Sequence, residues 1–198
     1  NLASISPSFN IQSSQTETQG TSIKIRGVGT TGNNTGLESS VGVFIDGVYQ
    51  SRPGVALGDL VDLERLEILR GPQGTLFGRN TSAGALNVTT KRPSLTTPEG
   101  FVNASYGNYN FMNVQAGVSL PVAQDVAGVR LSGTWRKRDG YLTTPSGVES
   151  NDRDRYMLRG QLYIEPNSDV SIRLLADYAK TDEQCCQAVI VRETELAP

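Results

Sequence analysis

Residues Ile68 to Pro93 read ILRGPQGTLFGRNTSAGALNVTTKRP, and this stretch limits what the chain around it can form. It holds four glycines and two prolines. Each glycine can take a positive φ or lie close against other backbone, and Pro72 after Gly71 ends a strand and starts a turn. The apolar runs between these breaks are short. The stretch therefore predicts short strands and tight turns packed inside a larger unit, and it excludes a long helix.

Two patterns upstream of this stretch predict strands. Thr21 to Arg26 alternates isoleucine with basic residues, which is typical of a half-buried strand. Val41 to Tyr49 holds two apolar runs separated by Asp46-Gly47. Asp-Gly between such runs indicates a tight β-hairpin. We therefore interpret Asp46 as a turn residue and not as a catalytic carboxylate.

A short helix is predicted just before the glycine-rich stretch. Leu57 to Leu66 spaces its leucines and acidic residues as a short amphipathic helix would. Glu67 to Arg70 then reads as a strand that leads into Gly71. The first half of the chain is thus predicted to be a small mixed α/β unit.

Several short motifs occur in an order that is known from one family. They are IRG at 25–27, VFIDGV at 43–48, RGP at 70–72, FGRN at 77–80, AGALN at 83–87 and TTKRP at 89–93. In this order they resemble the plug domain of TonB-dependent outer-membrane receptors. The resemblance implies a small mixed α/β plug domain over residues 1–95, followed over 100–198 by the first five antiparallel strands of a transmembrane β-barrel. Because a plugged transporter barrel needs about 22 strands, it also implies that the sequence is a piece of a longer chain.

The second half of the chain has the residue pattern of long strands. After a linker at 96–100, five stretches alternate apolar residues with polar ones that include Arg, Gln and Asp: 102–106, 114–120, 129–137, 155–165 and 170–178. This period gives a sheet with one apolar and one polar face. Alone it fits a soluble sandwich as well as a wall between lipid and a wet lumen, and the plug resemblance favours the wall. Aromatic girdles at the membrane interfaces, with ordinary strand packing as the alternative, are predicted for Tyr106, Trp135, Tyr156 and Tyr178.

The lengths of the connections predict an orientation for these strands. Residues 121–125 and 166–169 are short turns, whereas 141–154 and the chain after Thr181 are longer and more polar. Outer-membrane barrels keep short turns on the periplasmic side and long loops outside. The strand over 102–106 is therefore expected to run outward.

Composition excludes several functional classes. A net charge of −2 and a pI of about 5.2 give no sign of a nucleic-acid-binding surface. With no histidine and two adjacent cysteines, a transition-metal site is not predicted. The uncharged run over 101–124 is broken by Asn, Gln and Pro and is not a transmembrane helix. No nucleophile–base or metal-ligand constellation is present, so the sequence predicts neither an enzyme nor a bound cofactor.

One motif imitates a dinucleotide-binding fingerprint. Gly27 to Gly32 is a literal GxGxxG after a strand, and Asp46 follows about twenty residues later. The fingerprint needs a helix that opens at the third glycine and turns its N-terminus to the pyrophosphate. Residues 33–40 show no helical apolar period. We interpret the motif as a surface loop, and a nucleotide-binding enzyme remains an alternative that requires a helix after Gly32.

The family resemblance implies both a function and partners. Such a receptor imports a scarce solute (iron–siderophore, cobalamin, oligosaccharide or similar) across the bacterial outer membrane without covalent chemistry. The TonB complex of the inner membrane drives the import by pulling on a peptide, which here would precede Asn1. The other expected contacts are a small-molecule nutrient and outer-membrane lipid. A surface-exposed interaction or signalling receptor on the same scaffold is the alternative.

The resemblance also implies candidate site residues. Arg26 and Arg70 match plug arginines that pair with barrel glutamates in this family, and a loosely solvated arginine is the alternative. Solute contact is expected of loops that should point outward, with plain loop polarity as the alternative. The candidates for this contact are Asn33, Asn34, Tyr49, Gln50 and Arg52.

Cys185 and Cys186 are adjacent in the last loop. Neighbouring Cα atoms lie about 3.8 Å apart, below the usual range for a disulfide, so a bridge between them would be strained. The oxidising cell surface nevertheless favours a vicinal disulfide over two free thiols. Bridges to cysteines elsewhere are the alternative.

Overall fold

The computed structural model describes residues 7–13, 21–30, 38–51, 54, 57, 60–143, 147 and 149–184. Among these residues Gly54 and Leu57 are helical, and the N-terminal half also contains six short strands and a four-residue helix. They are β1 Phe9–Ser13, β2 Thr21–Ile25, β3 Val41–Ile45, β4 Val48–Gln50, β5 Leu63–Arg70, helix α1 Gly74–Phe77 and β6 Gly84–Thr90. The second half contains longer strands, with one two-residue pair in a loop. They are β7 Glu99–Gly107, β8 Phe111–Ala123, β9 Ala127–Arg138, β10 Leu142–Thr143, β11 Glu149–Ser150, β12 Arg153–Asn167 and β13 Val170–Thr181.

Four of the short strands form one sheet in the order β4-β3-β6-β5, which we call the small sheet. Strands β3 and β6 run parallel at its centre, and β4 and β5 are antiparallel to their neighbours. The separate β1–β2 pair packs against this sheet through apolar side chains. The shared core consists of Phe9, Ile23, Ile25, Val41, Val43, Ala83, Leu86 and Val88. The short apolar runs of the sequence thus meet in one core.

The predicted hairpin is present. Strands β3 and β4 pair directly, and the turn residues Asp46 and Gly47 have φ angles of 49° and 82°. Positive φ at both central residues is the geometry of the type I′ turn, which Asp-Gly favours. Asp46 is therefore a turn residue as predicted, and its carboxylate has a further role described below.

The short helix predicted over Leu57 to Leu66 is wrong in its second half. Leu57 is helical, but β5 begins at Leu63. Leu66 and Ile68 pack against the core, and the backbone of β5 pairs with β6. Tertiary pairing thus overrides the helical spacing of the leucines, because helix propensity is only a weak preference.

The glycine-rich stretch forms short elements joined by turns, as predicted. Gly84 starts β6 with a φ of 151°, and a Cβ added there would lie 2.3 Å from the carbonyl oxygen of Leu69 and 2.7 Å from Cδ1 of Ile25. Only a residue without a side chain fits where β6, β5 and β2 come together. The glycine therefore permits the contact between the small sheet and the β1–β2 pair.

The five predicted long strands form one antiparallel sheet, in the order β13-β12-β9-β8-β7, which we call the long sheet. Each strand extends beyond the alternating stretch that predicted it. The connections at 124–126 and 168–169 are tight turns, and the longer connection from β9 to β12 carries the small β10–β11 pair. The alternation of side chains therefore located these strands correctly.

The two faces of the long sheet differ as their sequences predict. One face, called the inner face, is turned to the small sheet and buries polar residues: Arg130, Ser132, Thr134, Arg155, Arg159 and Gln161. On the other, outer face, large apolar side chains are exposed: Val102, Leu131, Leu158, Ile172 and Leu174. Tyr106, Trp135, Tyr156 and Tyr178 share the outer face, and the rings of the last two lie 5.9 Å apart. Their role as a girdle stays a prediction.

Within the part of the chain that the structure describes, no helix is long and apolar enough to cross a membrane.

Candidate functional site

Asp62 and Arg130 form a buried ion pair where the small sheet meets the long sheet. Nε of Arg130 donates to Oδ2 of Asp62 at 2.5 Å, and Nη2 donates to Oδ1 at 2.7 Å. The two side chains are 2% (Arg130) and 4% (Asp62) exposed. A guanidinium that binds both oxygens of a carboxylate fixes the orientation as well as the charge of the pair. The contact therefore sets where the start of β5 lies against β9.

The backbone around Asp62 aims its carboxylate. Asp62 has a φ of 60°, in the left-handed region that Asp tolerates better than most residues. Its carbonyl oxygen accepts a hydrogen bond from the amide of Lys91 at 2.9 Å, and the preceding Val61 is buried. The backbone conformation, the hydrogen bond from Lys91 and the burial of Val61 together fix the position from which the carboxylate binds Arg130.

Asp46 is the second carboxylate that the small sheet offers to the long sheet. Oδ1 accepts the amide of Thr90 at 2.9 Å and Nη1 of Arg173 at 3.0 Å. Oδ2 accepts the hydroxyl of Thr90 at 2.6 Å, and Nη1 of Arg159 lies 3.9 Å away. The hairpin turn thereby presents a carboxylate that the end of β6 holds in place and that β12 and β13 neutralise.

Gln161 and Arg173 extend this contact along the inner face. Oε1 of Gln161 accepts Nε and Nη2 of Arg173 at 3.2 and 2.7 Å, while its Nε2 donates to the carbonyl oxygen of Lys91 at 3.2 Å. Nη2 of Arg173 also donates to the carbonyl and hydroxyl oxygens of Thr90, at 3.1 and 2.8 Å. Such a connected network satisfies its buried polar groups jointly, which is how a polar interface avoids unpaired donors.

The segment between the sheets, residues 91–98, is bound to the long sheet. The amide of Ser94 donates to Oγ of Ser119 at 2.7 Å, and the carbonyl oxygen of Leu95 accepts the amide of Asp125 at 3.0 Å. A Cβ added to Gly128 would lie 2.4 Å from the carbonyl oxygen of Ser94. The linker therefore lies directly on β9 and on the β8–β9 turn.

The charges at this interface are the reverse of those in the expected pairs, in which the plug supplies arginines and the barrel supplies glutamates. Carboxylates come from the small sheet and guanidinium groups from the long sheet. Arg26 is exposed in the turn after β2, with a φ of 54°, and makes no ion pair with the described residues. Arg70 is exposed at the end of β5 and has contacts of its own. That these two arginines pair with barrel glutamates stays a prediction.

Two of the predicted solute-contact residues lie in β4. The hydroxyl of Tyr49 accepts Nδ2 of Asn80 at 3.1 Å, and its ring lies 5.6 Å from that of Phe44. The side chain of Gln50 returns to the carbonyl oxygen of Val48 at 3.2 Å. The remaining candidate positions lie outside the described residues, as does the segment after Gly32 in which a nucleotide-binding helix would have to begin. These positions are Asn33, Asn34, Arg52, Cys185 and Cys186.

Sequence reasoning missed the carboxylates that complete the interface. Arg130, Arg159 and Arg173 were visible on the polar face of predicted strands, and a buried arginine requires a negative partner. Nothing in the sequence connected them to Asp62 or Asp46. The positive φ of Asp62, which directs its carboxylate toward Arg130, is visible only in the structure.

The model of the TonB-dependent receptor plug domain matches residues 1–85. Residues 1–85 therefore belong to the plug-domain family of the TonB-dependent receptors. The fold of the chain agrees, since a small sheet with little helix is followed by antiparallel strands that, in this chain, do not close a barrel. TonB-dependent receptors are proteins of the bacterial outer membrane, and this is the location of the chain.

The curated relatives include two receptors of Yersinia. The pesticin receptor of Yersinia pestis is 30% identical over 145 residues, which are 73% of this chain and 21% of that protein. The ferrioxamine receptor of Yersinia enterocolitica is 28% identical over 141 residues, or 69% of this chain and 19% of that protein. The chain thus spans about a fifth of the length of these curated relatives.

Solved structures show the same fold. The ferric yersiniabactin uptake receptor of Yersinia pestis superposes with a TM-score of 0.77 at 22% identity, covering 90% of this chain and 28% of that chain. The pyoverdine receptor of Pseudomonas aeruginosa superposes with a TM-score of 0.66 at 18% identity, covering 87% and 23%. The small and long sheets therefore correspond to part of a plug and part of a barrel wall.

Proposed function

We propose that this chain is part of a transporter that imports an iron–siderophore or a similar scarce solute across the outer membrane in a TonB-dependent manner. The names of similar proteins support this solute class, since they include a ferrioxamine receptor and a ferric yersiniabactin uptake receptor. Import of this kind moves the solute without making or breaking covalent bonds, so no catalytic role is assigned. The TonB complex is the proposed partner, acting through a peptide before Asn1.

The polar interface between the two sheets is the observation that carries this proposal. Exposing buried apolar surface to water again costs a free energy of about 25 cal/mol for each Å². A hydrogen bond to a charged group contributes about 1.5–3 kcal/mol net, since water replaces both partners when both become wet. Asp62, Asp46 and their arginines thus give an interface that is specific when closed and separable when wetted. A plug that must move and return needs both properties.

The same proposal gives each part of the chain a role. Residues 1–95 would form the plug and 100–198 the first wall strands, with the bound linker at 91–98 as the fixed connection. Arg26 and Arg70 would pair with glutamates elsewhere on the wall. Tyr49, Gln50 and the neighbouring loop positions would meet the solute from outside.

The test is uptake by cells that carry the full-length receptor, with and without a working TonB system. Labelled iron–siderophores, cobalamin and oligosaccharides form the panel. We expect saturable uptake of an iron chelate that disappears when TonB is removed. Uptake that does not depend on TonB would contradict the proposal.

A surface receptor is the second candidate. One similar solved structure shows a pyoverdine receptor in complex with pyocin S2, so this scaffold can take a further ligand. Tight binding of a ligand with no TonB-dependent uptake of any solute would favour this candidate.

A further inference from the structure

The inner face of the long sheet carries buried polar groups without hydrogen-bond partners at β9 and β8. Ser132 and Thr134 lie two residues apart on β9, and each is 5% exposed. Neither hydroxyl has a partner among the described residues, and the same holds for Oδ1 of Asn113 on the adjacent strand β8. Since side chains alternate along a strand, these residues share the face of Arg130. We call Asn113, Ser132 and Thr134 the unpaired line.

The line continues along β9 in both directions. Toward the linker, Nη1 of Arg130 is buried without a hydrogen bond, although an oxygen of Glu99 lies 3.7 Å away. Toward the long connections, Nε of Arg138 is buried without one. These two arginines are eight residues apart on one strand, which corresponds to about 26 Å. That length is close to the ~30 Å thickness of the hydrocarbon core of a bilayer.

The neighbouring strands β12 and β13 are instead bonded to the small sheet and the linker. Gln161 donates to the carbonyl oxygen of Lys91 at 3.2 Å. Arg173 binds Asp46 at 3.0 Å and the hydroxyl of Thr90 at 2.8 Å. Past the buried ion pair near the linker, the hydroxyls of β9 have no such partners. The attachment of the plug to the wall is therefore uneven, with hydrogen bonds at β12 and β13 and none at the unpaired line.

Unpaired hydroxyls do not benefit the closed protein. A buried hydroxyl without a partner lowers stability, whereas an apolar group of the same shape is nearly neutral or stabilising. Valine would therefore suit the closed protein better than Thr134 does. Buried polar groups without partners call for a specific explanation. A second state of the protein, in which these groups meet water or a polar solute, supplies one.

We propose that the passage for the solute opens along β9, between plug and wall, and that Asn113, Ser132 and Thr134 line it. Their oxygens replace part of the water around a polar iron chelate as it passes. Separation begins at these residues because no hydrogen bond to them has to break, while β12 and β13 keep the plug attached. The pair of Asp62 and Arg130 closes the passage at its inner end. This inference rests on the proposed import and adds the route.

Cysteine labelling of the full-length receptor in cells tests the route. Cys185 and Cys186 are first replaced by serine, and Ser132→Cys then places one small thiol in the line. The reagent is a charged methanethiosulfonate, which reacts only with a thiol that water reaches. Ferrioxamine and ferric yersiniabactin are the solutes offered, with and without a working TonB system. Labelling should become at least about tenfold faster when an imported chelate and TonB are both present, a change of about 1.4 kcal/mol in the free energy of opening.

Ser119→Cys is the matched control in the same background. Ser119 lies on the inner face of β8 and is 0% exposed. Its hydroxyl accepts the amide of Ser94 at 2.7 Å and donates to the carbonyl oxygen of Val129 at 3.3 Å. The linker thus holds this serine, and its cysteine variant should label slowly in every condition.

Three labelling results would overturn the route. Equal acceleration at the two cysteines would mean that the plug leaves the wall as a whole. Fast labelling of Ser132→Cys without solute would mean that the line is already wet in the closed protein. No acceleration of Ser132→Cys, in cells where this variant still imports the chelate, would mean that the solute passes elsewhere.

Thr134→Val tests the hydroxyl without a label. It should leave the unfolding midpoint of the purified receptor unchanged or raised, because no partner is lost. TonB-dependent uptake should nevertheless slow several-fold at unchanged binding affinity. Thr90→Val removes a hydroxyl that has two partners and should lower the midpoint instead. A lowered midpoint for Thr134→Val, or uptake at the wild-type rate, would contradict the assignment of this residue.

Failure of the route can be distinguished from failure of the proposed function. If the wild-type receptor takes up no solute in a TonB-dependent manner, the proposed function is wrong and the route falls with it. If the wild-type receptor imports a chelate but Ser132→Cys and Ser119→Cys label alike, only the route is wrong.

Discussion

Asp62 and Arg130 are 68 residues apart in the sequence, yet they meet as the most enclosed ion pair of the interface. The arginine could be predicted to lie on the inner face from the alternation of β9. Its partner could not, because the carboxylate reaches it only through a positive φ at Asp62 and a bond from the amide of Lys91. Asp46 and Arg173 meet across 127 positions for the same kind of reason. The alternation along a strand thus predicts where the arginine lies, whereas only the tertiary structure shows which aspartate pairs with it.

Asp62→Asn is expected to destabilise the contact between the sheets. The change keeps a residue that tolerates the left-handed backbone. It removes the carboxylate that binds the buried guanidinium of Arg130 through two hydrogen bonds, and only Glu99 remains as a counter-charge, 3.7 Å from Nη1. Removing one partner of a buried pair costs about 3–5 kcal/mol. Denaturant unfolding of the full-length receptor in detergent, followed by hydrogen exchange at the amide of Lys91, measures the loss.

Asp125→Asn is the control for this change. Asp125 has a φ of 59° but is exposed in the β8–β9 turn. The same substitution there should change stability by no more than about 0.5 kcal/mol. Equal effects at the two positions would mean that the ion pair contributes nothing specific.

Thr90→Val should also weaken the interface. The Thr90 hydroxyl donates to Asp46 at 2.6 Å and accepts from Arg173 at 2.8 Å, and valine has nearly the same shape without either group. Leaving two buried partners short of a hydrogen bond should cost about 1–3 kcal/mol. Thr89→Val, at the half-buried neighbour on the same strand, is the comparison and should be nearly neutral. Unfolding midpoints of the two variants decide the matter.

At the level of elements, period and turn chemistry predicted most of the structure. The long strands follow from alternation, and the β3–β4 hairpin from Asp46-Gly47. The helix predicted over Leu57 to Leu66 is wrong in its second half because Leu66 packs against the core and the backbone of β5 pairs with β6. The helical spacing of leucines does not determine which surface they will pack against in the folded protein.

Gly128→Ala is expected to lift the linker from β9. A methyl group there would lie 2.4 Å from the carbonyl oxygen of Ser94, so the segment must move and its bond to Ser119 is lost. Hydrogen exchange at the amides of Ser94 and Asp125 should speed up by at least about tenfold, which corresponds to about 1.4 kcal/mol.

Gly160→Ala provides the comparison within the same sheet. A methyl group at Gly160 would meet only Cδ2 of Leu131, at 3.6 Å, an ordinary contact. Exchange at Ser94 should then remain at the wild-type rate. If Gly128→Ala also left it there, the linker would not depend on close contact with β9.

At the scale of the whole molecule, the long sheet has two open edges among the described residues, at β7 and at β13. In lipid each unpaired backbone group costs several kcal/mol, so a sheet with free edges cannot span a bilayer by itself. The apolar outer face adds a surface that water does not favour. This is consistent with a chain that spans about a fifth of its curated relatives.

Residues 1–198 expressed alone should therefore fail to form a protease-resistant species in lipid vesicles. The full-length receptor refolded in the same way should resist digestion over its barrel strands. A resistant fragment of the size of this chain would show that the long sheet closes its edges on its own, for example by joining other copies.

The direction of charge across the interface also limits the exchange of parts between receptors. A chimera that joined this plug to a barrel without arginines at the positions of Arg130 and Arg173 would bury Asp62 and Asp46 with no counter-ion. A barrel with carboxylates there would repel the plug outright. Compatibility between donor and recipient is thus decided by a few paired residues more than by shape, and substitutions on the two sides of the interface should have been inherited together.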